Sequence, residues 1–215
     1  MRKMFCFYLL LATISILILA CVSTAGPEET ENTILFQDNF TDPKSGWDSS
    51  ANELGATEYT ENGFLISVNA PGRFFWANPY KHFSDVSITV TVKKISGGDD
   101  NSFGVICRHQ NTDNFYALVI SSDGYYGIRK RINGNPPIYI GYDMMQYTNI
   151  INTGETENIL RADCIGTTLS LYVNGQLLMQ VQDSTIMEGD VGLFAGTFEA
   201  ESTQVLFSNF IVSRP

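Results

Sequence analysis

Val86-Ser87-Ile88-Thr89-Val90-Thr91-Val92-Lys93 decides the fold. Aliphatic residues hold every second position and polar residues the positions between, the period of an extended strand with one side against a core. Leu169-Ser170-Leu171-Tyr172-Val173 repeats the pattern. Phe115-Tyr116-Ala117-Leu118-Val119-Ile120 is apolar on both sides and reads as a central strand. Between such runs stand Asn62-Gly63, Asp123-Gly124, Asn133-Gly134 and Asn174-Gly175, dipeptides that tolerate positive φ and suit type I′ hairpins. About a dozen short strands without long loops predict two packed sheets rather than one. The expected fold is therefore all-β, a two-sheet antiparallel β-sandwich spanning residues 33–215. Phe36–Phe40 and Phe207–Phe210, its similar ends, are expected to pair. No stretch carries a persuasive helical period. Tyr142–Asn152 has room for one short helical turn, with residues 149–152 read as returning to an extended run.

Outward from the domain, the N-terminus has a different character. Arg2 and Lys3 precede an uncharged apolar run, Phe5–Ala20, which ends in Ile18-Leu19-Ala20-Cys21. A free-standing membrane span needs about 20 apolar residues, so the run is short for one. It reads as a secretory signal over residues 1–21 whose end matches a bacterial lipobox, placing lipid on Cys21. Cleavage after Ser23-Thr24-Ala25 and an uncleaved anchor are the alternatives. All three put the folded part outside the cytoplasmic membrane, on its extracellular face if lipid-anchored. Residues 22–32, with Glu28, Glu29 and Glu31 and little to bury, read as a tether.

Lys and Arg number 13 against 23 Asp and Glu, a formal net charge of −10. An acidic domain is repelled by polyanions, so nucleic acid is a poor partner. Arg129-Lys130-Arg131 is the basic run, and in a strand its middle residue faces away from its neighbours. Of four cysteines, Cys6 lies in the signal and Cys21 is the lipid site. Cys107 and Cys164 lie in strand patterns of an exported domain, where they pair as a disulfide or pack as two buried thiols. Pairing closes a loop of about 57 residues and stabilises by about 4 kcal/mol in the chain-entropy treatment. There is no Cys-x-x-Cys and only His82 and His109 as histidines.

Several segments carry a resemblance. Phe36-Gln37-Asp38-Asn39-Phe40 followed by Ser45-Gly46-Trp47 resembles the opening of concanavalin A-like jelly-roll domains. Phe103–Arg108 and Asn114–Leu118 resemble their central strands, as do Leu169–Gly175, Gly192-Leu193 and Phe207–Phe210. The likeness is to the laminin G-like and 3-keto-disaccharide hydrolase-like branches. It implies a jelly roll and a carbohydrate or cell-surface polymer as partner. It leaves three functions open, since fold does not fix function: a binding module, a glycan hydrolase or lyase, and a structural surface domain.

Glycoside cleavage needs two carboxylates about 5 to 10 Å apart. The Glu-x-Asp-x-x-Glu run of the superfamily's glucanases is absent. Glu199 and Glu201 are the nearest pair, Asp163 is a strand acid, and neither makes a motif with a histidine. No catalytic residue is assigned. Aromatic side chains are the stronger lead, because flat rings stack on the apolar face of a sugar. Trp76 and Tyr80 lie in one cluster with Phe74 and Phe75, and Tyr125, Tyr126, Tyr139, Tyr142 and Tyr147 in another. Arg108 and Arg129 are expected to bond ligand hydroxyls nearby. Trp47 and Phe74 are expected in the core. No cofactor is required. Calcium is an alternative, with Asp38 and Asp190 as candidate ligands and Asp42, Asp99 and Asp100 as further oxygens.

Overall fold

A computed structural model describes residues 33–215. The signal, the Cys21 lipid site and the tether lie outside the described residues. The strands in chain order are β1 (Ile34–Asp38), β2 (Ser50–Asn52), β3 (Gly55–Thr60), β4 (Gly63–Val68), β5 (Phe74–Ala77), β6 (His82–Phe83), β7 (Val86–Gly97), β8 (Asn101–Asn111) and β9 (Asn114–Ile120). There follow β10 (Tyr125–Arg131), β11 (Ile138–Ile140), β12 (Gln146–Tyr147), β13 (Asn158–Ile165), β14 (Thr168–Val173), β15 (Gln176–Gln182), β16 (Gly189–Thr197) and β17 (Thr203–Ser213). These 17 exceed the expected dozen because several, such as β6 and β12, are two- or three-residue pieces at sheet edges. No helix occurs among the described residues, so 142–152 holds bends and β12 instead of a helical turn.

The strands form two antiparallel sheets. The first runs β15-β14-β13-β7-β17-β4-β3-β2, with β1 against β17. The second runs β11-β10-β9-β8-β16-β5, with β12 against β10 and β6 against β16. The ends of the domain pair as expected, Phe36 with Val212 and Asp38 with Phe210. Val86, Ile88, Val90 and Val92 share the buried side of β7 and join one core with Val105, Leu118, Leu160, Leu171 and Phe207. Trp47 packs in that core against Phe210, with ring centroids 4.9 Å apart, and its indole Nε1–H donates to Asp38 at 3.0 Å. Cys107 of β8 and Cys164 of β13 are bonded as a disulfide, joining one sheet to the other.

Turn chemistry is less uniform than the dipeptides suggest. Both residues take positive φ at Asn133-Gly134 and Asn174-Gly175, as type I′ requires. At Asn62-Gly63 and Asp123-Gly124 only the glycine does. A second departure is at Arg108, a non-glycine residue with φ of 55°. It sits where β8 slips register against both β9 and β16. Such a bulge re-aims a side chain. Here it turns Arg108 into the space between the sheets, beside Cys107.

Candidate functional site

Alternation gives the second sheet an inner and an outer face. On β10, Tyr126, Ile128 and Lys130 point inward, and Gly127, Arg129 and Arg131 outward. On β5, Phe75 and Ala77 pack on the core while Phe74 and Trp76 stand on the outer side. Register places Phe194 of β16 opposite Trp76 and Gly104, and Arg129 opposite both Tyr139 and Ala117. The outer face thus gathers residues far apart in sequence.

Its floor is apolar: Ile106, Phe115, Ala117, Val119 and Phe194 are buried, with Phe74, Trp76 and Met145 packed over them. Phe74 stacks on Phe194 at 5.6 Å, and Trp76 lies 5.8 Å from Phe74, 6.1 Å from Phe115 and 6.4 Å from His109. The Arg129 guanidinium carbon is 5.4 Å from the Phe194 ring centre and 5.6 Å from that of Tyr139. That of Arg131 is 5.8 Å from Phe74. Glycines make room for this layer. A β-carbon on Gly104 would stand 2.1 Å from the Leu118 carbonyl oxygen, and one on Gly127 would stand 3.0 Å from the Tyr139 ring. Four polar atoms of the layer are sealed from solvent without a partner among the described residues: His109 Nε2, Arg129 Nε, Arg131 Nε and Tyr139 Oη. A half-exposed sheet of rings with guanidinium groups set among them can stack on a sugar ring, and the outer guanidinium nitrogens can bond its substituents.

Two cavities flank the layer. One, of about 540 Å³, is lined by Asp48, Trp76, Tyr80, His109 and Asp190 among others. Burial pushes the Asp190 carboxyl above its ordinary range, against hydrogen bonds from the backbone N–H groups of Lys81 and Val191. Burial also lowers the His109 pKa, with Asp48 pulling the other way. Tyr80 donates its hydroxyl hydrogen to Asp48, and that carboxylate holds the phenol pKa up. The other cavity, of about 370 Å³, is lined by Asp100, Asp123, Tyr125, Tyr139, Met144, Met145 and Phe198 among others.

The structure therefore sorts the residues singled out in the sequence. Trp76 and Tyr80 border the first cavity, and Tyr125 and Tyr139 the second. Tyr126 packs on the core from the inner face, so it cannot share a surface with Trp76. Tyr142 is 55% exposed on the loop after β11 and joins neither cavity lining. Arg108 is a correction. It is 1% exposed, and its guanidinium donates to the carbonyls of Ile186 at 2.9 Å and Gly166 at 2.6 Å, so it ties the sheets together rather than facing solvent. Phe74 is the opposite correction, standing on the outer layer and not in the main core. Arg131, Phe115 and Phe194 join the site unforeseen. Runs apolar on both sides, Phe115–Ile120 and Leu193–Ala195, signal a second covered face, and its cover is this layer of rings and guanidinium groups.

The acidic residues offered for calcium do not gather in one place. Asp38 accepts the Phe40 N–H at 2.7 Å and the Trp47 indole on its other oxygen, and Asp190 lies in a different place with backbone donors of its own. Asp99 holds Lys94 at 2.5 Å, and Asp100 accepts the Glu199 N–H. Among the described residues no three of His, Cys, Asp and Glu gather as metal ligands. Glu199 and Glu201 fall in the loop between β16 and β17, and Asp163 accepts from Ser87 at 2.6 Å and faces Arg161.

No protein-family model matches the chain. A TPR repeat-containing protein of Treponema pallidum is 28% identical over 94 residues, 43% of this chain but 11% of that protein's length. Solved structures match over far more. The carbohydrate binding module CBM66 from Bacillus subtilis superposes with a TM-score of 0.63 and 18% identity, over 78% of this chain and 95% of that one. The chain is a jelly roll. A Bacillus subtilis protein with a galectin-like fold gives 0.58 and 12% over 85% of this chain and 96% of its own. The Bacteroides ovatus mixed linkage glucan GH16 structure, solved with a G4G4G3G product, gives 0.59 and 9%, over 83% of this chain and all of that one. At these identities the likeness is one of fold.

Proposed function

We propose that this chain is an extracellular carbohydrate-binding module of the concanavalin A-like jelly-roll type, held to a bacterial membrane by lipid on Cys21. The outer face of the second sheet carries the reading: Phe74, Trp76 and Tyr139 expose part of their ring surface beside the half-buried Arg129 guanidinium. Fold neighbours include a carbohydrate binding module and a glucan-acting protein, which supports a sugar as the ligand class. A glycan array probed with the parent protein and with Trp76→Ala is the test. Hits lost with the indole support the reading, and hits that persist, or none at all, refute it. Lipid on Cys21 is tested by incorporation of labelled fatty acid, which Cys21→Ser should abolish.

Glycan cleavage is a second reading, favoured by the cavity where Asp190, with its raised pKa, shares walls with Asp48 and His109. Incubation with array hits and assay of new reducing ends decides it. Cleavage abolished by Asp190→Asn supports an enzyme, and no release leaves binding alone.

A further inference from the structure

Arg129 differs from four other cations of the described domain that are buried or half-buried and paired. Lys130, its neighbour on the inner face, meets Asp183 at 2.5 Å, Lys94 meets Asp99 at 2.5 Å, and Arg108 donates to two carbonyls and lies 3.6 Å from Asp85. Arg131 reaches Asp113 at 3.7 Å and the Gly134 carbonyl at 3.3 Å. The Arg129 side chain makes no ion pair and no hydrogen bond with any described residue, and its Nε is sealed from solvent. Burial holds its pKa below the ordinary arginine value.

An unpaired guanidinium in such a place is costly, since a desolvated charge wants a counter-charge or full hydrogen bonding. The Tyr139 and Phe194 rings repay part of that cost by cation–π attraction and hold the guanidinium in place. An arginine fixed in this way loses little side-chain freedom when a ligand arrives. Its terminal nitrogens are left to make the paired bonds that the guanidinium fork makes to a carboxylate or sulfate. Arg131, on the same face two residues on, is already offset by Asp113, which leaves Arg129 as the uncompensated charge. Asp100 and Asp123, which share the neighbouring cavity with Tyr139, are already bonded to the Glu199 N–H and the Ser121 hydroxyl. The positive spot stands out in a chain of net charge −10. At about 0.15 M salt the distant acids are screened beyond roughly 8 Å, so the local guanidinium decides what binds.

We propose that Arg129 reads the acidic group of an acidic sugar, a carboxylate or a sulfate ester, while the half-exposed rings of Phe74 and Trp76 stack on the sugar ring. This rests on the carbohydrate-binding reading and narrows it to charged glycans.

The test is calorimetric titration of the full protein with three probes of equal length: an oligogalacturonate, its carboxyl-reduced neutral counterpart, and a sulfated form of that neutral oligosaccharide. At least one acidic probe is expected to bind about tenfold or more tighter than the neutral one, as suits a charge-assisted pair. Which acidic probe wins identifies the anion. Arg129→Gln should erase the preference. Arg129→Lys keeps the charge but not the fork and should retain only part of it, and near-ultraviolet circular dichroism confirms that both variants fold. Equal affinity for acidic and neutral probes, or a preference unchanged in Arg129→Gln, overturns the acidic-sugar assignment and leaves carbohydrate binding standing. No binding of any probe, together with an empty glycan array, overturns both.

Discussion

Replacing Arg108 with alanine tests whether this residue belongs to the scaffold or to the surface. Its side chain lies between the sheets at 1% exposure and donates to the carbonyls of Ile186 and Gly166, one in the segment before β16 and one in the β13–β14 turn. Alanine would strand both carbonyls, remove the partner that Asp85 faces at 3.6 Å, and leave a void the size of the lost side chain. Breaking one partner of a buried charged group costs about 3–5 kcal/mol. For a domain of this size each kcal/mol shifts Tm by about 2–4 °C, so a fall of about 6–20 °C is expected. Arg108→Met, which fills the space but leaves the carbonyls without donors, should fall between the parent and the alanine variant. Scanning calorimetry reads both. A Tm within about 2 °C of the parent for Arg108→Ala, coupled with weakened glycan binding, would refute the internal placement and restore Arg108 to the surface role that its sequence suggests.

Two further outcomes follow from the same packing. Cys107→Ala with Cys164→Ala should lose about 4 kcal/mol in urea unfolding, and a thiol assay on denatured, unreduced parent protein should find neither of these cysteines free. Burial pushes the Asp183 carboxyl up, but bonds from Lys130, Thr185 and Tyr116 outweigh it and hold its pKa well below the usual range. A depressed folded pKa gives stability that is full above the unfolded carboxylate value near about 4 and lost as pH falls through the folded one. The urea midpoint should therefore drop from pH 6 to pH 2.5 by less in Asp183→Asn than in the parent. An identical drop in both would contradict the pairing.

How much of this was legible in the sequence depended on whether the signal was local. Val86–Val92 announced its buried side because alternation is written in consecutive residues. Trp47 in the core followed from the same kind of reading. The disulfide was open until the fold brought β8 and β13 together, since spacing alone does not set distance between strands. Arg108 was misread because a left-handed bulge residue is usually a glycine or asparagine, and an arginine there gives no warning. Tyr125 and Tyr126 looked equivalent as neighbours, yet the strand period sends them to opposite faces. The outer layer was the least legible part. Trp76, Arg129, Phe115 and Phe194 come from four strands, and their meeting is a property of sheet order rather than of any one stretch.

The protein's two tryptophans allow one measurement to ask where a sugar sits. Trp47 is 5% exposed in the main core, and Trp76 stands on the outer face of the second sheet. Each gives one indole N–H signal in a proton–nitrogen correlation spectrum. On titration with a glycan taken from the array, the Trp76 signal should shift or broaden in proportion to occupancy while that of Trp47 stays in place. Movement of Trp47 alone, or a bound glycan that disturbs neither indole, would contradict the assignment of the outer face as the binding surface.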